Sequence, residues 1–199
     1  MCFLVALLFC FIKKIYQQFI NNKFSKAVLF IQIIVGVILT LKFSFSLFTP
    51  IILISLFFMG HIAIIDKMKY LIPYLSIISL FILGVFNLFL KNSPFDFISL
   101  YDKLFGFIIF IFIWLLLSFI QNKLSVQFLG GGDLMLFCVI TLLIGWQLTI
   151  FGISIGSFIA LIIEKLKRNN KHLPFGPYLV VGFIISLLIG DFIFNFIYL

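Results

Sequence analysis

Acidic residues are the scarcest chemistry in this 199-residue chain, which has six: Asp66, Asp96, Asp102, Asp133, Glu164 and Asp191. Charged residues of both signs make up 10% of the sequence, against roughly a quarter in soluble domains. With 64% hydrophobic residues and a mean hydropathy of +1.35, there is too little polar surface to clothe a water-soluble globule. Cysteine is equally sparse. Cys2, Cys10 and Cys138 lie inside apolar runs with no CxxC pair, which excludes a disulfide frame and a cysteine zinc site and leaves small buried hydrophobes. The two histidines, His61 and His172, have no serine at a spacing that suggests a nucleophile and its base. Internal repeats, low-complexity linkers and a separate soluble region are also missing, so residues 1–199 are expected to form one membrane domain.

What fills the chain instead is long apolar runs of about 15 to 23 residues, the length a helix needs to cross a bilayer of about 30 Å. In lipid the backbone must satisfy its own polar groups, so such runs are helices or closed-barrel strands. Barrel strands alternate apolar and polar residues, and these runs do not. The expected fold is therefore all-α: a polytopic helical bundle with about eight spans, near 1–20, 27–43, 48–65, 71–90, 98–120, 132–146, 148–163 and 177–198. The first is the weakest, because its strictly apolar part, Met1 to Ile12, is short. No basic residue precedes it, so it does not read as an ordinary secretory signal. Without it, seven spans remain.

The formal net charge of +8 comes from 14 basic residues against the six acids. It is a topology signal rather than a nucleic-acid surface, because the lysines sit in short loops. Loops near 13–26, 66–70, 121–131 and 164–176 hold eleven of the 14, leaving Lys42, Lys91 and Lys103 for the other side. The basic side is expected to face the cytoplasm of a cell-membrane protein in contact with lipid. The same bias decides the break at Gly145-Trp146-Gln147. One continuous helix over 132–163 would put the basic loop at 164–176 on the wrong side, so a tight external turn is expected there.

Four of the six acids have ordinary readings. Asp96 and Asp102 belong to an external loop and a helix start, Glu164 closes a span beside Lys165, and Asp191 sits near an interface. Asp66 and Asp133 differ. Asp66 ends the apolar run His61-Ile-Ala-Ile-Ile-Asp66, and Asp133 follows Gly130-Gly131-Gly132 at the start of a span. Both fall at the basic membrane boundary, where an ionisable group is costly and marks function by default. Taken singly, Asp133 could be an N-cap and Asp66 an interfacial charge near Lys67 and Lys69. As a pair in a low-dielectric site, two carboxylates share one proton and titrate as a unit. Such a dyad can hold a water, with one carboxylate as base and the other as acid toward a carbonyl. The three glycines admit close approach of a substrate backbone. His61 lies five residues before Asp66, off its helical face, and reads as packing or pore lining. Ser154-x-x-Ser157 and Gly152-x-x-x-Gly156 offer small residues for helix packing.

At these residues the chain resembles the bacterial prepilin peptidases, the type IV leader peptidases among the GxGD intramembrane aspartic proteases. The matching stretches are Ala63-Ile-Ile-Asp66 with Leu71-Ile72-Pro73, Leu129-Gly-Gly-Gly-Asp133, Ile144-Gly145-Trp146 and Pro174-Phe175-Gly176-Pro177, in order from about 27 to 198. The resemblance implies that Asp66 and Asp133 are the catalytic pair. Gly130, Gly131, Gly132, Pro73, Pro174, Phe175, Gly176 and Pro177 would shape the site or bind substrate. It also implies cleavage of the basic leader from prepilins or pseudopilins at the cytoplasmic face, in type IV pilus, competence or secretion systems, with no cofactor. Two positions depart from the pattern: Met135 stands where the family usually has lysine, and Tyr74 where an acidic or amide residue commonly follows Ile-Pro. Many members carry a cysteine-rich, zinc-binding insert associated with N-methylation. Here the loop from Lys13 to Lys26 has no cysteine, so a short peptidase without metal is expected, and methyl transfer stays open. A proton-coupled transporter or channel using the two aspartates as relays is the alternative. Against it, no broken helix recurs in two halves of the chain. A non-catalytic assembly partner and a peptidase of other signal peptides complete the field.

Overall fold

The computed structural model describes residues 23–43, 46–90, 98–124, 130–167 and 174–197. They form six helices: α1 (Lys23–Phe43), α2 (Phe48–Lys69), α3 (Tyr74–Leu88), α4 (Leu100–Leu124), α5 (Gly131–Lys167) and α6 (Gly176–Ile197). No strand occurs among the described residues. Four of the helices, α1, α2, α4 and α5, are long and apolar enough to cross a membrane, while α3 and α6 contribute shorter apolar segments. The expected first span, 1–20, lies outside the described residues. The other expected spans fall on helices to within a few residues, 132–146 and 148–163 both on α5, and among the described residues four helices qualify as spans, against the eight or so expected.

α5 and α2 form the buried heart of the bundle, and α1 and α4 lie against its flanks with most of their surface outward. The outward side chains are themselves apolar: Phe30, Leu41, Phe112, Phe119 and Phe192 are all exposed. So large a continuous apolar surface is stable only against lipid. Inside, Leu39, Ile52, Ile62, Leu80, Leu136, Ile140 and Phe183 are completely or almost completely buried. Several polar side chains in the core tie one helix to another. His61 Nδ1 pairs with Ser76 Oγ at 2.7 Å, linking α2 to α3, and this is the packing role expected of His61.

α5 breaks where the sequence suggested, and the break is sharper than a loop. Gly145 alone leaves helical geometry, with φ 79° and ψ 165°. The chain reverses there. The first arm begins at Gly131 and packs against α3 and α4, with Gly84 against Leu142 and Gly106 against Thr141. The second arm packs antiparallel to α6: Leu148 lies against Gly190, Gly152 against Phe183, and Gly156 against Tyr178 and Leu179. Gly156 is thus back at the end where α6 begins and α5 started. Positive φ suits glycine, and a Cβ at 145 would also stand 2.7 Å from Ile98 Cγ2. Polar side chains brace the apex. Asn87 Nδ2 donates to Leu143 O at 2.7 Å, a carbonyl near the end of the first arm. Asp102 Oδ1 accepts from Trp146 Nε1 at 3.2 Å and Gln147 Nε2 at 3.1 Å. The other oxygen of Asp102 accepts from the Ser99 amide and hydroxyl while Ser99 Oγ accepts from the Asp102 amide, a reciprocal cap at the start of α4. The second arm meets α6 at backbone contact: a Cβ on Gly182 would fall 2.1 Å from Gly152 O. Glycines permit this approach, as in membrane helix pairs generally.

These antiparallel pairings give the bundle two unlike ends. Lys23, Lys26, Lys67, Lys69, Lys123 and Lys165 belong to one, and Lys42 and Lys103 to the other. Lys42 Nζ bonds the carbonyls of Leu187 and Leu188, each at 2.8 Å.

Candidate active site

Asp66 stands in the last turn of α2, which runs on to Lys69 and stops at Tyr70. Tyr70 adopts the left-handed conformation (φ 54°, ψ 36°) and its amide returns to Asp66 O at 2.8 Å. Leu71-Ile72-Pro73 then cross to α3. Pro73 is extended (φ −72°, ψ 121°), and its carbonyl takes the first amides of α3, those of Ser76 and Ile77. Proline is well placed there, because it needs no donor of its own and cannot continue α2.

The Asp66 side chain is buried, 7% exposed, and points across to the start of α6. The Gly176 amide donates to its Oδ2 at 2.7 Å, joining residues 110 positions apart. Only glycine fits at this contact, since a Cβ on residue 176 would sit 2.9 Å from Asp66 Oδ2 and 3.1 Å from its Cγ. Pro174 and Phe175 approach α6, and Phe175 O accepts from the amides of Tyr178 and Leu179. Pro177 occupies the first turn, where a missing N–H costs nothing.

Asp133 is reached through the three glycines, and each has a different setting. Gly130 is the residue whose carbonyl receives the first amides of α5, from Asp133 at 3.0 Å and Leu134 at 3.4 Å. Asp133 is therefore inside the first turn and is not the N-cap. A Cβ on Gly130 would come 2.9 Å from Asp133 Oδ2, and one on Gly132 would come 3.0 Å from Ile72 Cβ. One on Gly131 would meet nothing within 4 Å. The contact of Gly132 with Ile72 sets the start of α5 against the crossing that follows Asp66. Asp133 is half-buried.

Three regions far apart in sequence thus meet at the lysine-bearing end: the end of α2 with the Ile72-Pro73 crossing that follows it, the glycine run, and the Pro174–Pro177 entry to α6. The other acids stand elsewhere. Asp102 braces the opposite end, Glu164 is exposed, Asp96 lies outside the described residues, and Asp191 belongs to the far part of α6. Of the two positions that depart from the family pattern, Met135 is half-buried against the core and Tyr74 is exposed. Among the described residues no three of His, Cys, Asp and Glu are grouped to hold a metal. The backbone amide of Gly176 is the one functional group at the site that side-chain motifs could not announce. Two apolar hollows flank the pair. One of about 190 Å³ is lined by Ala63, Lys67, Pro177 and Tyr178. The other, of about 460 Å³, runs along α4 past Leu134 and Phe137 to Trp146.

The fold and the site together define a helical membrane protein with a carboxylate pair at its basic end. Residues 52–164, more than half of the chain, match the type IV leader peptidase family, and the chain belongs to that family. It is 29% identical over 147 residues to a prepilin leader peptidase/N-methyltransferase of Pectobacterium carotovorum subsp. carotovorum, covering 70% of this chain and 51% of the relative. To the protein of the same description from Pseudomonas aeruginosa it is 30% identical over 136 residues, 65% of this chain and 46% of the other. The chain therefore spans about half the length of these relatives. No solved structure matches it.

Proposed function

We propose that this protein is an intramembrane aspartic endopeptidase that removes the basic leader from type IV prepilins or pseudopilins at the cytoplasmic face of the cell membrane. The observation that supports the reading is the contact of Gly132 with Ile72, which brings the start of α5 and Asp133 to the same lysine-bearing end of the apolar bundle as Asp66. Peptide hydrolysis at such a pair needs no bound cofactor. A water held between the carboxylates loses a proton to one of them as it adds to the scissile carbonyl, whose oxygen is protonated by the other. The substrate's apolar helix would lie against the spans while its leader stays at the basic side. The peptidase reaction alone is proposed, because the loop from Lys13 to Lys26 has none of the cysteines associated with the methyl-transfer insert.

The test is cleavage of a model prepilin co-expressed in membranes with wild-type protein, Asp66→Asn or Asp133→Asn, each checked for equal accumulation. Leader loss with wild type and with neither variant supports the assignment. If both variants cleave, the pair is not catalytic. If wild type leaves several prepilins intact while Asp133→Asn abolishes a proton-coupled uptake, the relay reading replaces this one.

A further inference from the structure

The two carboxyls are held in different ways. Each carboxyl faces a helix N-terminus, where free amides favour negative charge: Asp133 from within the first turn of α5, Asp66 from the last turn of α2 across to the first turn of α6. A helix end alone therefore does not tell them apart. A specific donor does. The Gly176 amide lies 2.7 Å from Asp66 Oδ2, inside the range of about 2.7–2.9 Å for N–H bonds to a charged oxygen. The approach is built into the fold, because the absent Cβ of residue 176 is what lets the amide come so near. Asp133 has no counterpart. Among the described residues no donor reaches its carboxyl, and its own amide is engaged with Gly130 O. Asp133 is half-buried beside the glycine run. Lys67 and Lys69, the cations nearest Asp66 in sequence, are exposed.

We infer, resting on the peptidase reading above, that the pair is unequal: Asp66 is the ionised base, and Asp133 carries the shared proton. The steps balance. The Asp66 carboxylate takes one proton from water as the water oxygen bonds to the scissile carbon, and the carbonyl oxygen takes the proton of Asp133. In the second half Asp66 gives its proton to the departing amide nitrogen as the C–N bond breaks. Asp133 recovers its proton from a hydroxyl of the tetrahedral centre as the C=O reforms. The products are a free amine and a carboxylic acid, and the pair returns to its starting state. The Gly176 amide is a positioning group here, holding the Asp66 carboxylate in charged form while touching no substrate.

The chain's poverty in acids makes the test direct. Full-length protein is labelled with ¹³C at its aspartate carboxyls, of which there are five, and placed in lipid nanodiscs at neutral pH. Each resonance is assigned through its own backbone, so no variant has to fold. The expected spectrum has Asp66 at the position of a carboxylate and Asp133 at that of a protonated carboxyl. The reverse order, a common intermediate position for both, or two ionised carboxyls would each overturn the assignment. Cleavage plays no part in this measurement. An unequal pair in a protein that cuts no prepilin would sink the substrate reading alone, and an equal pair in an active enzyme would sink this one alone.

Discussion

Replacing Gly176 with alanine keeps the backbone amide and adds one carbon at the tightest point of the site. That carbon would stand 2.9 Å from Asp66 Oδ2 and 3.1 Å from both its Cβ and Cγ. The Asp66 side chain is buried, so the carboxylate is pushed off the amide or the start of α6 retreats from α2. Either movement lengthens a bond to a charged acceptor, a kind worth about 1.5–3 kcal/mol. If that bond orients the carboxylate for catalysis, losing it lowers kcat by roughly ten- to a hundredfold. KM changes little, because the amide does not contact the substrate. The control lies in the glycine run. Gly131→Ala adds a carbon that meets nothing within 4 Å, at the first position of a helix, where alanine is a better helix former. Purified variants in proteoliposomes, assayed at saturating prepilin, should give a slow Gly176→Ala enzyme and a normal Gly131→Ala enzyme. Gly176→Ala cleaving at the wild-type rate would refute the reasoning. So would equal loss in both variants, because glycine would then matter for loop motion rather than for the carboxylate.

Three further outcomes follow from the packing. Gly145→Ala must adopt φ 79° and meets Ile98 Cγ2 at 2.7 Å, so thermal unfolding in detergent should show a loss of about 2 kcal/mol or more; unchanged stability would mean that the hairpin apex is soft. Asp102→Asn weakens the clasp on Trp146 and Gln147, at a cost of about 1–3 kcal/mol, and should lower the unfolding temperature while leaving kcat intact. Ser76→Ala leaves His61 Nδ1 buried without its partner and should destabilise by about 1–3 kcal/mol with cleavage retained. Loss of cleavage at normal stability would move His61 into the site.

The helices were legible because the bilayer imposes one length and one polarity on every span, and departures from that rule are few enough to see. Asp66 and Asp133 stood out as a pair: each alone has an ordinary use at a span end, but both fall at the same basic boundary, one closing a helix and one opening another. The break at Gly145 was legible only through charge, since a single glycine in an apolar run carries no certain sign, whereas misplaced lysines do. Other features had no such signature. The donor to Asp66 is a main-chain amide 110 residues away, and the sequence shows main-chain amides everywhere. Likewise Gly130, Gly131 and Gly132 are identical as letters, and only their neighbours, Asp133, open space and Ile72, make them differ. Asp102 read as an ordinary helix start, and so it is, but its second oxygen secures an apex 44 residues on. The alternative of Asp133 as an N-cap is set aside because α5 already starts at Gly131, which leaves Gly130 in the cap position.

The order in which the chain is made gives the tie between Asp66 and Gly176 a further meaning. Asp66 leaves the ribosome with the second described helix and Asp133 with the fifth, while the amide that anchors Asp66 arrives only with the sixth. Until α6 is inserted, both aspartates are in the membrane and the reaction centre is unfinished. On the peptidase reading, the nascent protein would stay inactive until that last helix is in place. A chain ending before Pro174 should insert, keep both carboxylates and cut nothing.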